Sequence, residues 1–180
     1  MLTDPKHIAD IVDQAKNQDQ KAIKTLYDLH IKEMILLCHR LLSNQEDVKD
    51  ILQESFVSAF TQLSRLKDAS KFKSWLKRIV INNCLKDKRN KVMFCPLNEH
   101  RLATEEIERS WYKDVPPETL NNEISRLPAG CRKIMTLYLF EGYKHREIAD
   151  MLKISESTSK SQYRRSLELL GERLKKLRNE

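Results

Sequence analysis

Apolar positions along this chain recur at the three- and four-residue spacing of a helix. Between His7 and Ala15 the stripe is Ile8, Ile11, Val12 and Ala15, preceded by Asp4 and Pro5, a capping residue and a first-turn proline. From Ala22 to Leu42 it is Ile23, Leu26, Tyr27, Ile31, Met34, Ile35, Cys38 and Leu42, closed by Ser43 and Asn44. Asp47 to Leu63 repeats the pattern with Val48, Ile51, Leu52, Ser55, Phe56, Ala59, Phe60 and Leu63. A short polar loop, Leu66 to Lys71, leads into a fourth helix, Phe72 to Arg89. Its apolar face is Phe72, Trp75, Leu76, Ile79, Val80 and Leu85. Its other face is Lys73, Lys77, Arg78, Asn82, Asn83, Lys86 and Arg89.

The pattern breaks over 92–118, where Pro96, Pro116 and Pro117 interrupt it and acidic residues cluster, with room for one short helix through Glu105–Trp111. A stretch this long without periodicity marks a linker and a domain boundary. Helical spacing resumes in shorter pieces: Leu120 to Arg126, Ala129 to Phe140 after Pro128, a stop at Gly142, His145 to Leu152, and Ser155 to about Leu177. Ser155 and Thr158 stand where an N-cap and first turn would fall. The expected fold is all-α: two small helical domains, 1–91 and 119–180, joined by a flexible linker at 92–118.

Composition narrows the chemistry. Of 180 residues only 3 are Gly, too few for a Gly-rich phosphate loop. The longest mostly apolar stretch, Ile134 to Phe140, is far short of the ~20 residues that span a bilayer. The N-terminus has no apolar signal region, so the expected location is the cytoplasm, without membrane insertion. Cys38, Cys84, Cys95 and Cys131 form no C-x-x-C pair, so no metal or cofactor is expected, and buried reduced thiols are the plain reading, with Cys95 the most exposed. Cys38 and His39 are consecutive on a helix and face different ways, so they form no dyad. No set of carboxylates or nucleophiles suggests an enzyme, and neither a catalytic residue nor a small-molecule substrate is assigned.

Charge is unevenly placed. The whole chain is +7, but residues 1–63 are −3, 64–91 are +8, 92–119 are −3 and 143–180 are +4. The +8 block reads either as a footprint for a polyanion or as a solvated helix face. The stretch His145–Ser166 fits a helix-turn-helix. His145–Leu152 would brace, with small Ala149 at the helix crossing and Ile154 at the junction. The second helix would turn Tyr163, Leu167 and Leu170 inward and Lys160, Ser161, Arg164 and Arg165 outward. Arg and Lys suit guanine edges and phosphates. A helical hairpin with basic solvent-facing residues is the alternative.

LPAGCRKIMTLYLFEGYKHREIADMLKISESTSKSQYRRSLELL (Leu127–Leu170) resembles the C-terminal DNA-binding domain of extracytoplasmic-function sigma factors. LYDLHIKEMILLCHRLLSNQEDVKDILQESFVSAF and KFKSWLKRIVINNCLKDKR resemble that family's other domain, in the right order. The resemblance implies an alternative sigma factor that binds core RNA polymerase, reads the minus-ten and minus-thirty-five promoter elements and assists melting. It implies that Asp47, Asp50, Gln53 and Glu54, read as one polar helix face, dock on a polymerase coiled coil. It places Lys67, Lys71, Lys73, Lys77, Arg78, Asn82 and Arg89 on the minus-ten element, with Phe72 and Trp75 turned to the core. It places Lys160, Ser161, Arg164 and Arg165 on the minus-thirty-five element, with Arg146, Ser157 and Thr158 near phosphate. An anti-sigma partner is a further implication. The chain departs from the family pattern at Lys153 (the turn glycine), Ser157 (Gly), Ser159 (a buried Val), Gln162 (Arg) and Lys86 (Asp). The competing functional class is an autonomous helix-turn-helix regulator that does not join polymerase.

Overall fold

The computed structural model describes residues 5–42, 44, 46–86 and 115–179. The short helix expected at Glu105–Trp111, Cys95, and Arg89 of the minus-ten set lie outside the described residues. The described residues are helical or in turns, and they fall into two compact units, 1–87 and 88–180.

The N-terminal unit holds α1 (Pro5–Lys16), α2 (Gln20–Leu41), α3 (Glu46–Thr61) and α4 (Phe72–Lys86). Gln18, with φ +64°, turns the chain between α1 and α2. Asp19 then caps α2 by accepting from the Lys21 and Ala22 amides at 2.8 and 2.9 Å. The Asn44 side chain accepts from the Glu46 amide at 3.1 Å and so starts α3. Helix α3 stops at Thr61, short of Leu63, where a 3₁₀ turn Leu63–Arg65 takes over. A second 3₁₀ turn, Ala69–Lys71, leads into α4; Asp68 accepts from the Ser70 amide and hydroxyl at 3.1 and 2.6 Å.

The apolar stripes meet broadly as their spacing predicts, except on α2, where Leu37 and Leu41 are buried, Ile23, Ile31 and Ile35 are half-buried and Tyr27 is exposed. Leu26, Met34, Leu37, Cys38 and Leu41 of α2 are buried with Val48, Ile51, Leu52 and Phe56 of α3 and Phe72, Leu76, Val80, Ile81 and Cys84 of α4. The thiols of Cys38 and Cys84 touch at 3.7 Å, both buried and outside any disulfide; Cys131, in the other unit, is also a buried thiol outside any disulfide. Trp75 is only half-buried, with its ring 6.1 Å from Phe72. Asn83 does not share the polar face with Asn82. It is buried and donates to the buried Ser55 hydroxyl at 3.1 Å, because position 83 falls between Val80 and Cys84 on the inner stripe.

The C-terminal unit holds α5 (Pro117–Ser125), α6 (Ala129–Met135), α7 (His145–Leu152) and α8 (Glu156–Asn179). Helix α6 runs on to Phe140 as expected, but widens to a π-turn over Thr136–Phe140. Gly142, with φ +74°, reverses the chain. Glu147 reaches back to accept from the Lys144 amide at 2.8 Å and fixes the start of α7. Ile124, Leu127, Cys131, Ile134, Met135 and Leu137 are buried together with Ile148, Ala149, Tyr163, Leu167 and Leu170.

Lys153 occupies the left-handed region at φ 57°, ψ 46°, as a turn without its glycine requires. The turn keeps its geometry, since the Ile154 amide still donates to the Ala149 carbonyl at 3.0 Å. A side chain in that region carries a backbone penalty of about 1–2 kcal/mol. Replacing Lys153→Gly relieves it at some cost in unfolded-state entropy. The expected outcome is a net gain of up to about 1 kcal/mol, read from the chemical denaturation midpoint with the helical content unchanged.

Candidate nucleic-acid interface

Helix α4 buries Phe72, Leu76, Val80 and Cys84, so the 3.6-residue period turns Lys73, Arg78, Asn82 and Lys86 to solvent. Arg78, Asn82 and Lys86 line up four residues apart. Among the described residues Arg78 has no hydrogen-bond or ion-pair partner, and neither does the exposed Lys67 before the helix. Lys71 pairs with Asp68 at 3.3 Å, both well exposed. The Ser70 hydroxyl, ahead of Lys71, holds the Asp68 carboxyl below its usual range.

Lys73 and Lys77 are differently placed. Both reach the carboxylate of Glu33 on α2, at 2.9 and 3.0 Å, one on each oxygen. Glu33 is invisible to a search for cations in one block of sequence. Only the packing of α2 on α4 brings it there. Partial burial works against ionising Glu33, but the bonds from Lys73 and Lys77 outweigh it and hold its carboxyl below the ordinary value. One turn earlier on α2, His30 is buried with its ring 5.4 Å from Phe72, and its Nε2 has no hydrogen-bond partner. Burial, and then the Lys73 ammonium, push the imidazole pKa down against the opposing pull of Glu33.

Of the four residues expected on one polar face of α3, Asp50, Gln53 and Glu54 are exposed and Asp47 is not. Positions 47, 51 and 55 stack on one line of the helix, and Ile51 and Ser55 are buried. Asp47 therefore sits inward, in the first turn where helix N–H groups favour a carboxylate. Gln53 borders an open apolar groove of about 670 Å³ between α2 and α3, floored by Ile31, Leu52, Phe56 and Phe60. Tyr27 and Val57 on its rim are 41% and 60% exposed.

In the C-terminal unit α7, the left-handed Lys153 turn and α8 form a helix-turn-helix. The Ser155 hydroxyl accepts from the Thr158 amide at 3.0 Å and caps α8. It also contacts the Ser157 and Thr158 hydroxyls at 2.8 Å each. Arg146, Ser157, Lys160 and Arg164 are exposed on the outer surface. Arg164 has no partner among the described residues. Lys160 pairs with Glu156 at 2.7 Å, and its hydrogen bond is the main reason that carboxyl titrates below its usual value. Two members of the expected set turn away. Ser161 donates to the Thr158 carbonyl of its own helix at 3.0 Å. Arg165 lies three-quarters buried against Glu168, at 3.0 Å, because position 165 flanks the stripe of Gln162 and Ser166.

The departures at Ser159 and Gln162 have structural partners. Ser159 is fully buried and its hydroxyl lies 3.0 Å from His145 Nδ1. The His145 ring stacks on Tyr138, with centroids 4.3 Å apart and planes 12° apart. Gln162 accepts from the Cys131 thiol at 3.3 Å. Polar pairs thus tie α8 to α7 and to α6, the first at a position where the family pattern has a buried Val. Among the described residues no group of three or more His, Cys, Asp or Glu is placed to hold a metal.

His30 sets a pH dependence. Its folded pKa is below the unfolded value of 6.5, so the unfolded chain takes up a proton first as the pH falls. Its contribution is complete above that value and lost on descending through the window beneath it. Thermal melts between about pH 7.5 and 5 should show the N-terminal unit weakening, and His30→Leu should flatten that slope. Glu33→Gln should not flatten it, since Glu33 favours the protonated imidazole. That substitution acts lower. The depressed Glu33 carboxyl stabilises above its unfolded value of 4.5 and loses that contribution as the pH falls through the folded one.

Comparison with known proteins matches both units of the chain. Residues 26–92 match the family Sigma-70 region 2, and residues 118–170 match Sigma-70, region 4. The extracytoplasmic-function sigma factor SigW of Bacillus subtilis is 27% identical, over 92% of this chain and 96% of its own. The sigma-H factor of Pseudomonas aeruginosa is 25% identical over 94% and 95%, and the sigma-E factor of Haemophilus influenzae 27% over 93% and 95%. The same fold is found in CnrH, solved with the cytosolic domain of CnrY, at a TM-score of 0.54, with 21% identity and coverage of 93% of this chain and 97% of that one. It is also found in RpoE of Bartonella quintana, solved with the anti-sigma factor NepR, at 0.51, with 19% identity and coverage of 86% and 98%. With both sigma-70 regions in order and relatives aligned over nearly its whole length, this chain belongs to the extracytoplasmic-function group of RNA polymerase sigma factors.

Proposed function

We propose that this sigma factor divides its work between the two units along the surfaces described above. The exposed face of α3, with Asp50, Gln53, Glu54 and the apolar groove beside Gln53, docks on core polymerase. The solvent face of α4, with Lys67, Arg78 and Asn82 and the paired Lys71, Lys73 and Lys77, meets the minus-ten element. The outer surface of α8, with Lys160 and Arg164, enters the major groove at the minus-thirty-five element, while Arg146, Ser157 and Thr158 meet phosphate at the helix start. Asp47, Ser161 and Arg165 are supporting residues in this reading, since each is buried or bonded within its own unit. Residues 92–118 link the two domains. Catalysis belongs to the polymerase, and the factor works in the cytoplasm; no described helix is long and apolar enough to cross a membrane.

The observation that carries this reading is a pair of arginines, on separate units, that have no partner among the described residues. Arg78 and Arg164 each project from the exposed side of a helix whose other side is core. Leaving such a cation unpaired in the free protein keeps it available for phosphate or a base edge. An anti-sigma partner is part of the proposal, supported by the anti-sigma complex in which the Bartonella relative was solved. Co-purification from the native cell should recover it.

Purified protein with core polymerase and a promoter library should give specific start sites by transcript sequencing. An autonomous regulator would instead shift DNA alone and form no complex with the core enzyme. Asp50→Lys combined with Glu54→Lys should weaken holoenzyme assembly roughly tenfold while leaving the helical content intact. Arg164→Ala should cost about 1–3 kcal/mol of discrimination among minus-thirty-five sequences, measured as relative occupancy of single-base variants.

A further inference from the structure

We propose that Glu33 is a built-in competitor for the nucleic-acid backbone, occupying Lys73 and Lys77 in the free protein and yielding them to phosphate on promoter binding. The inference rests on the assignment of α4 to the minus-ten element.

The geometry is specific. Lys73 and Lys77 are four residues apart on α4, and each meets a different oxygen of one carboxylate at 2.9 and 3.0 Å. That carboxylate comes from α2, so the arrangement is not the usual pairing along one helix. An oxygen pair held between two ammonium groups stands where phosphate oxygens would stand. The side chains of Lys73 and Glu33 keep 53% and 39% of their surface and that of Lys77 keeps 23%, so a strand can reach the cluster from the Lys73 side. Exposed ion pairs of this kind are weak and exchangeable.

A purely structural role accounts poorly for the cluster. The α2–α4 seam is already closed beneath it by Phe72, Leu76 and Val80 and by the contact of Cys38 with Cys84, all fully buried. His30, on the core side, offers no hydrogen bond that would hold the carboxylate in place. The cations of α4 are therefore of two kinds. Arg78 has no partner among the described residues, while Lys73 and Lys77 are neutralised in part until a stronger anion arrives. Such a device lowers the affinity of any polyanion that takes the two lysines by the cost of displacing the carboxylate, so only a strand with further contacts binds well.

The test uses holoenzyme reconstituted from the full chain and core polymerase, on promoter fragments selected in the transcription assay, with affinity measured across salt concentrations. Contacts made by the core enzyme are common to all variants and cancel in the comparison. Glu33→Gln should tighten binding several-fold at low salt and steepen the log–log salt dependence by up to about one unit. Lys73→Gln with Lys77→Gln should weaken binding and abolish the gain from Glu33→Gln. If Glu33→Gln leaves affinity unchanged or lowers it while the double lysine variant weakens binding, the competitor role is wrong and the assignment of α4 stands. If the gain persists without the lysines, it is a general charge effect and the inference falls. If neither the lysine pair nor Arg78→Ala affects binding, the assignment of α4 itself fails.

Discussion

Phe72 is fully enclosed at the start of α4, ringed by His30, Phe60 and Trp75 at centroid distances of 5.4, 6.4 and 6.1 Å. What α4 presents to solvent follows from that anchorage. With Phe72, Leu76, Val80 and Cys84 turned inward, the helical period leaves no freedom over where Arg78, Asn82 and Lys86 point. The loop before α4 is held by Asp68, so the approach to the helix is fixed as well. A basic helix that were not so anchored would present its cations in many arrangements and pay the ordering entropy at the moment of binding.

The C-terminal unit meets the same need with less apolar material. The strained Lys153 turn sets the angle between α7 and α8. Two buried polar pairs, Ser159 with His145 and Gln162 with Cys131, then key the rotation of α8 about its own axis. Buried polar groups of this kind are satisfied only in one arrangement, so they favour a unique register over a sliding apolar contact. That register decides which residues of α8 look outward. Arg164 does, and Arg165, its neighbour, is folded back onto Glu168.

Much of this was legible in the chain. Helix order, the His145–Leu152 brace and the inner stripe of Tyr163, Leu167 and Leu170 follow from apolar spacing, and the ends differ by only a few residues. Charge by segment pointed to α4 and α8. The departures are of two kinds: Tyr27 and Trp75 are apolar residues left exposed or half-buried at the rim of a stripe, and the others are polar residues at a stripe's edge. Asp47, Asn83 and Arg165 are polar by type and so point outward on the sequence alone, yet each lies beside an apolar row and is drawn in by a partner or by the helix terminus.

The sequence by itself determined the helices, their inner faces, the two-domain plan and the family, because these depend on local periodicity and on motifs in linear order. Only the tertiary structure decided which charges are available. Lys73 and Lys77 look as free as Arg78 in the sequence, yet they share Glu33, which lies far back along the chain on another helix. Coulomb attraction acts through space over a few ångströms, and the packing of α2 against α4, not position along the chain, sets that distance.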